Sequence, residues 1–420
     1  MKILHISHSD ILGGAARASY RLHRALLASG LNSEMMVRIK KTDDWTILSS
    51  TSRVEKLVDI FRSTIGSSIN KLQKSKNISL HSGNWLPSFW AKKINASDAD
   101  IVNIHWVGNE TLSIKDLGKI NKPIVWTMHD MWPFCGSEHI ADYGQEARWK
   151  IGYTPRNRAS NDHGIDLDRL TWLRKKNAWN NQLIHVVAPS QWMSECIKDS
   201  ILFKKNPTYI IPNVLDTRVY KPLNQDFCRD ALNLPKDKFI ILFGAIGGSN
   251  DVNKGHDLLI SALSKATNRI YNDDILCIIF GQSEPQHPQK IPFKTKWLGH
   301  IYDDTTLSLL YNSANVMVVP SRIDNLPQTA TEAHACGTPV VSFATTGLVD
   351  IIEHKKTGYL AKPFCIDDLA NGIIWILANK LYQSDIRDNV RKKAEKLWAS
   401  DVVIEKYIDV YKKALDTYKK

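Results

Sequence analysis

The chain has 420 residues, 43% of them hydrophobic and 23% charged, with a formal net charge of +12; this is the profile of a folded protein long enough for two domains. No run approaches the roughly 18 uninterrupted apolar residues of a membrane span. The six cysteines are scattered without a CxxC pair, which argues against a zinc site or disulfide frame and for reduced, cytosolic thiols. The positive excess sits mostly in residues 1–200, with 27 Lys+Arg against 19 Asp+Glu. It suits an anionic partner, such as a phosphorylated substrate or an acidic membrane face. No zinc-finger, RNP or other nucleic-acid module is present, so nucleic acid is not the expected partner.

In chain order, "KILHIS" reads as a first strand and not as a signal peptide. "GGAARASYRLHRALLASG" reads as a helix with Gly13 and Gly14 at its mouth and Gly30 at its end. "SEMMVRI", "ADIVNIHW", "KPIVWTMHD" and "IHVVAPS" are strands whose unbroken apolar character suits a parallel sheet buried on both faces. Residues 53–76 put Val54, Leu57, Val58, Phe61, Ile65, Ile69 and Leu72 on one helical face, opposite Lys56, Arg62, Lys71, Lys74 and Lys76. Two readings fit: a helix lying on an anionic membrane surface, or an amphipathic helix packed on the sheet, with Gly66 weakening either. The polar stretch 142–168 reads as a mobile loop beside whatever the first domain binds.

After "YIIPNVLDTRVYKP" the pattern restarts with "FIILFGAI", "ILCIIFG", "KWLGHI", "NVMVVPS", "TPVVSF" and "TGYLA" as strands and helical stretches between them. The expected fold is α/β: two Rossmann-like, doubly wound domains facing each other across a cleft. Residues 1–212 form the first domain, completed by a helix at 402–420, and 213–401 the second. Ligands of such sheets bind beyond the carboxyl ends of the strands, so the cleft is the expected site.

Within "SRIDNLPQTATEAHACGTPVVSF" (321–343), Asp324 falls in the loop after a strand and Glu332 about one turn into the next helix. Pro327 suits the first helical turn and Gly337 the position past the end. Acids so placed can accept hydrogen bonds from ligand hydroxyls, while the helix end favours a phosphate.

This stretch resembles the E-x7-E signature of the family 4 retaining glycosyltransferases, which have the GT-B fold. Asp324 stands where that family usually has Glu. The resemblance spans nearly the whole chain and is strongest from 240 to 375. It implies that Glu332 holds the ribose of a nucleotide-diphospho-sugar and that Asp324 contacts the donor sugar. "NDVNKGHDLL" resembles the family's Lys-Gly element, with Lys254 matching its phosphate-binding lysine. The arginine often found shortly before that lysine is missing from "FGAIGGSNDVN". "SDILGGAARAS" resembles the glycine loop, with Gly13 and Gly14 beside the diphosphate. "TMHDMWPF" resembles the His-Asp element, with His129 facing the sugar. "TTGLVDIIEHKKTGYLA" resembles the segment in which Gly347 and Leu348 offer backbone N–H groups to phosphate. Asn325 and Leu326 join the same set of nucleotide-sugar contacts.

The resemblance implies a metal-independent hexosyltransferase with no cofactor beyond its donor. The acceptor would be a hydroxyl of a glycan or a lipid-linked oligosaccharide in bacterial surface-polysaccharide synthesis: exopolysaccharide, capsule or O-antigen. The location would be cytoplasmic, with peripheral contact at the inner face of an anionic membrane. A nucleotide-sugar epimerase or phosphorylase of the same fold and a catalytically silent scaffold are the alternatives.

Overall fold

The structure, a computed structural model, describes residues 1–50, 53–244, 251–267, 269, 272–378 and 383–419. The chain divides into two compact units: Met1–Pro212 with Ile404–Lys420, and Asn213–Val403.

The first unit contains β1 (Lys2–Ser9), β2 (Asn32–Ile39), β3 (Ile47–Leu48), β4 (Gln73–Lys74), β5 (Ile101–Ile104), β6 (Ile124–Thr127), β7 (His163–Gly164), β8 (Ile184–Ala188) and β9 (Thr208–Ile210). Seven of these form one sheet in the order β3-β2-β1-β5-β6-β8-β9, with every pairing parallel. The central strands are buried at every position, as a sheet covered on both faces requires. The helix Ser400–Tyr418 contributes to this unit from Ile404 onward. Its buried Tyr411 receives a hydrogen bond from Asn103 (3.1 Å), Tyr407 lies 3.1 Å from Thr127 Oγ1, and Thr417 meets His185 (2.9 Å).

The second unit contains β10 (Phe239–Gly244), β11 (Ile275–Phe280), β12 (Lys294–Trp297), β13 (Val316–Val319), β14 (Val340–Phe343) and β15 (Gly358–Ala361). Their order is β12-β11-β10-β13-β14-β15, again parallel throughout. Alternation along β10 feeds two cores, Ile240 and Leu242 on one face, Ile241 and Phe243 on the other. In each sheet the first strand has later strands on both sides: β1 lies between β2 and β5, and β10 between β11 and β13. Such reversals open a crevice at the carboxyl edge of the sheet.

Two expectations are corrected. The helix of the 53–76 stretch runs over Arg53–Asn70 and is turned inside out. Arg62, expected on an outer basic face, is 7% exposed and donates to the carbonyls of Leu86, Pro87 and Glu110. Leu57, Phe61 and Ile65 are instead 55%, 62% and 45% exposed. Gly66 sits on the inner side because a Cβ there would lie 2.5 Å from Glu110 Cγ. The apolar face is therefore not packed on the sheet. The 142–168 stretch is tied down: Trp149, within the short helix Arg148–Ile151, is buried and donates to the Asp142 carbonyl, and Arg148 pairs with Asp166 at 2.7 Å. Charge counts identify polar segments but not which polar groups find partners.

Candidate active site

In the second unit the loops leaving β10 and β13 meet at the switch point. After β10 a short turn, Val252–Lys254, leads into Gly255 and the helix His256–Ala266. Gly255 has φ of 67°, and a Cβ there would lie 2.0 Å from the Pro320 carbonyl oxygen. Only glycine permits both the angle and the approach. Arg322 fastens the same two loops: its N–H donates to the Asn253 carbonyl (2.7 Å) and its guanidinium to the carboxylate of Asp257 (2.6 and 2.9 Å). This brings Lys254 Nζ to 2.7 Å from Asp324 Oδ2. Burial disfavours the ammonium, but Asp324 outweighs it and holds the Lys254 pKa above its ordinary value. Lys254 is thus a fixed cation beside an acid in a partly open crevice. The stretch expected to lack an arginine, 243–253, lies partly outside the described residues.

Asp324 is held from several sides. Ser321 Oγ lies 3.3 Å from its carboxylate, and its own N–H donates to Thr346 Oγ1 (3.1 Å). Pro327 caps the helix Gln328–Ala335, and Gly337, with φ of 79°, follows its end. Glu332 sits on this helix, 4% exposed, and accepts a hydrogen bond from Tyr311 Oη at 2.7 Å. Burial, with Glu332 adding to it, raises the Tyr311 pKa well above the ordinary phenol value. Tyr311 therefore stays a neutral donor that orients Glu332. No pattern in "LLYNSAN" marks it in advance. Leu326 is buried in the core of this unit, so its side chain serves packing.

Gly347 and Leu348 differ from expectation. The Gly347 N–H donates to the Asp324 carbonyl (3.0 Å) and the Leu348 N–H to that of Thr345 (3.1 Å), so neither points outward to a phosphate. A Cβ on Gly347 would lie 1.4 Å from the Asn325 carbonyl oxygen. The glycine lets this turn press against the Asp324–Asn325 loop and support it.

In the first unit Gly13 precedes the helix Gly14–Ala28 with φ of 95°, and the helix end has no side-chain cap. A Cβ on Gly13 would meet nothing within 4 Å; the backbone angle, not crowding, demands glycine there. Gly14 is exposed. His129 follows β6 and ends a row of three imidazoles: His5 Nδ1 to His105 Nε2 is 2.9 Å and His105 Nδ1 to His129 Nε2 is 3.1 Å. Burial pushes His129 down to about 4, with Asp130 opposing, so the ring is neutral near pH 7. Asp10, which the sequence reading passed over, is fully buried and accepts from the backbone of Lys41 and Thr42 (both 2.8 Å), fixing the loop after β2.

Two parallel-sheet Rossmann-like units define the GT-B class of fold. The structure agrees with sucrose-phosphate synthase from Thermosynechococcus elongatus at a TM-score of 0.65 and 18% identity, covering 99% of this chain and 100% of that one. Anabaena HepE, solved with UDP and glucose, agrees at a TM-score of 0.63 and 15% identity, covering 98% and 100%. Residues 12–219 match the family model described as Glycosyltransferase Family 4, and residues 224–396 the one described as Glycosyl transferases group 1. The chain belongs to the family 4 glycosyltransferases. An uncharacterized glycosyltransferase of Methanocaldococcus jannaschii is 30% identical over 195 residues, 45% of this chain and 48% of that protein. The capsular polysaccharide biosynthesis glycosyltransferase CapM of Staphylococcus aureus is 25% identical over 206 residues, 47% of this chain and 49% of that protein. The chain spans about half the length of these relatives.

Proposed function

We propose that this protein is a retaining glycosyltransferase that moves a sugar from a nucleotide-diphospho-sugar to a hydroxyl of a glycan or lipid-linked oligosaccharide. The observation that carries this is the Lys254–Asp324 pair at the switch point of the second sheet, with Glu332 on the helix that follows. In this reading the second unit binds the donor: Lys254 meets the diphosphate, Glu332 the ribose and Asp324 the sugar. The acceptor oxygen bonds to the anomeric carbon on the face the diphosphate leaves. The bond from that carbon to the phosphate oxygen breaks with its electron pair, and the acceptor proton passes to the departing phosphate. Lys254 neutralises the charge that develops there. The first unit binds the acceptor, and in the same reading its Gly13–Gly14 turn meets the donor diphosphate and its His129 the sugar being transferred. No metal takes part, so EDTA is expected to leave transfer intact.

The relative in capsule synthesis supports a role in bacterial surface polysaccharide. The outward apolar face of Arg53–Asn70, flanked by exposed Arg53, Lys71, Lys74 and Lys76, supports peripheral contact with an anionic inner-membrane face. Among the described residues no helix is long and apolar enough to cross a membrane. Pelleting with anionic vesicles at low salt, abolished by Phe61→Ser, is expected; no pelleting removes the membrane part.

The test of the whole reading is thermal melting with UDP, GDP, ADP and CMP and their sugar conjugates. A ligand at 100 times its Kd adds roughly 2.7 kcal/mol. A preference for one base identifies the donor class, and acceptor-dependent release of that nucleotide separates transfer from epimerisation. No shift with any ligand overturns the reading.

A further inference from the structure

A cavity of about 950 Å3 opens at the carboxyl edge of the first sheet, lined by His8 at the end of β1, the segment after β2, Asn109 and Glu110 after β5, and one side of the helix Arg53–Asn70. It is large enough for a small oligosaccharide. Several of its charges are matched within the chain, while Lys41 and Asp43, also in the lining, are exposed. Arg38 contacts the carboxylate of Asp59 (2.5 Å) and the Thr111 carbonyl (2.9 Å), Ser50 donates to Asp59 (2.9 Å), and Arg62 serves backbone carbonyls. A guest meets the hydroxyls of Thr42, Ser49 and Ser63, the Asn109 amide and the His8 imidazole beside those two charges, a lining able to bond a polyhydroxylated molecule.

His8 carries the sharper information. Its Nδ1 lies 2.6 Å from Thr111 Oγ1, and Thr111 Oγ1 lies 2.6 Å from the Gly108 carbonyl oxygen. A carbonyl has no proton to give, so the one hydroxyl proton of Thr111 goes to Gly108. The proton between Thr111 and His8 must then come from Nδ1. The tautomer is fixed, and Nε2 keeps its lone pair. Nε2 has no hydrogen-bond partner among the described residues and remains open to solvent. Trp106 packs edge-on against the ring at 5.3 Å between centroids. Burial, with the Arg38 cation adding to it and Asp59 opposing, pulls His8 down to about 4, so the ring is neutral in the physiological range. A fixed lone pair on a neutral ring selects a hydrogen-bond donor.

We propose that His8 Nε2 is a positioning group for the acceptor, holding it in this cavity by accepting a hydrogen bond from one of its hydroxyls. This rests on the transferase reading and adds a residue to it. The test uses the full chain, the nucleotide-sugar selected by the melting series, and a panel of p-nitrophenyl hexosides as acceptor probes. His8→Ala is expected to raise the acceptor KM about tenfold, the loss of one hydrogen bond, while the melting shift given by the nucleotide is kept. His8→Gln, whose amide oxygen can also accept, restores part of the loss. Long-range 15N–1H correlation on the native protein is expected to show His8 protonated at Nδ1, and Thr111→Val to mix the tautomers. An unchanged acceptor KM in His8→Ala, a resting Nε2–H tautomer, or a native enzyme that turns over its donor yet transfers to no hexoside each overturns the inference. A native protein that binds no nucleotide overturns the transferase reading instead.

Discussion

At the scale of single residues, the candidate site is a set of charges placed by turns. Lys254→Ala leaves Asp324 without its ion pair and, in the proposed function, removes the cation that meets the departing phosphate. The expected loss in kcat/KM is on the order of 100-fold, with the far-ultraviolet circular dichroism unchanged. Because the Lys254 pKa is raised in the folded protein, its ammonium persists below the ordinary lysine value. The pair is lost only as pH climbs through the raised value, so no step in donor binding assignable to Lys254 is expected between pH 6 and about 10. Glu332→Gln keeps a partner for Tyr311 but not the charge. It is expected to lower kcat/KM at least about tenfold while shifting Tm by only a few degrees; a collapse of the fold would make Glu332 structural. The placement of Asp324 in the loop and Glu332 in the helix was legible because Pro327 and Gly337 bound that helix, and the resemblance to the family signature singled the two acids out. Tyr311 and the support given by Gly347 were not legible, since each depends on a neighbour distant in sequence: Tyr311 on Glu332, and Gly347 on the Asn325 carbonyl.

At the scale of elements, the inverted helix shows the limit of periodicity. The spacing of Leu57, Phe61 and Ile65 revealed two faces, and nothing in it said which faced inward. Buried Arg62 decides this by satisfying the carbonyl groups of Leu86, Pro87 and Glu110. Arg62→Ala is expected to destabilise by roughly 2–4 kcal/mol, read by urea unfolding, whereas Phe61→Ser changes stability by under about 0.5 kcal/mol. A second element-level device is a set of histidines in the first unit: His8 at the end of β1, His129 after β6, and His23 on the helix Gly14–Ala28. Burial holds His8, His23 and His129 down at about 4, so the fold favours their neutral forms. The stability they contribute is complete above pH 6.5 and is lost as pH falls toward 4, at about 1.4 kcal/mol per pH unit for each. His23, bonded at both nitrogens to Ser33 and Thr46, is the cleanest probe: His23→Gln should flatten the acid limb of a stability–pH curve, and an unchanged limb would remove it from the account.

At the scale of the molecule, two parallel sheets were legible because their strands read as continuous apolar runs separated by helical stretches. The reversal points followed from the same pattern, since each half begins with a strand that later ones flank. The contribution of Ile404–Lys420 to the first unit is energetic as well as topological. Tyr407, Val410, Tyr411 and Ala414 are all buried. A chain ending at Val403 is expected to lower the melting transition of the first unit by roughly 10 °C or more and to leave that of Asn213–Val403 in place; calorimetry separates the two.

That helix also imposes an order on biosynthesis. Met1–Pro212 emerges first, yet its sheet must wait for Tyr407 and Tyr411 to cover Asn103 and Thr127. Asn213–Val403 is contiguous and can reach its native state as soon as it has been translated. The half that is made first is the half that is finished last, and during the interval its incomplete core is what a chaperone would meet.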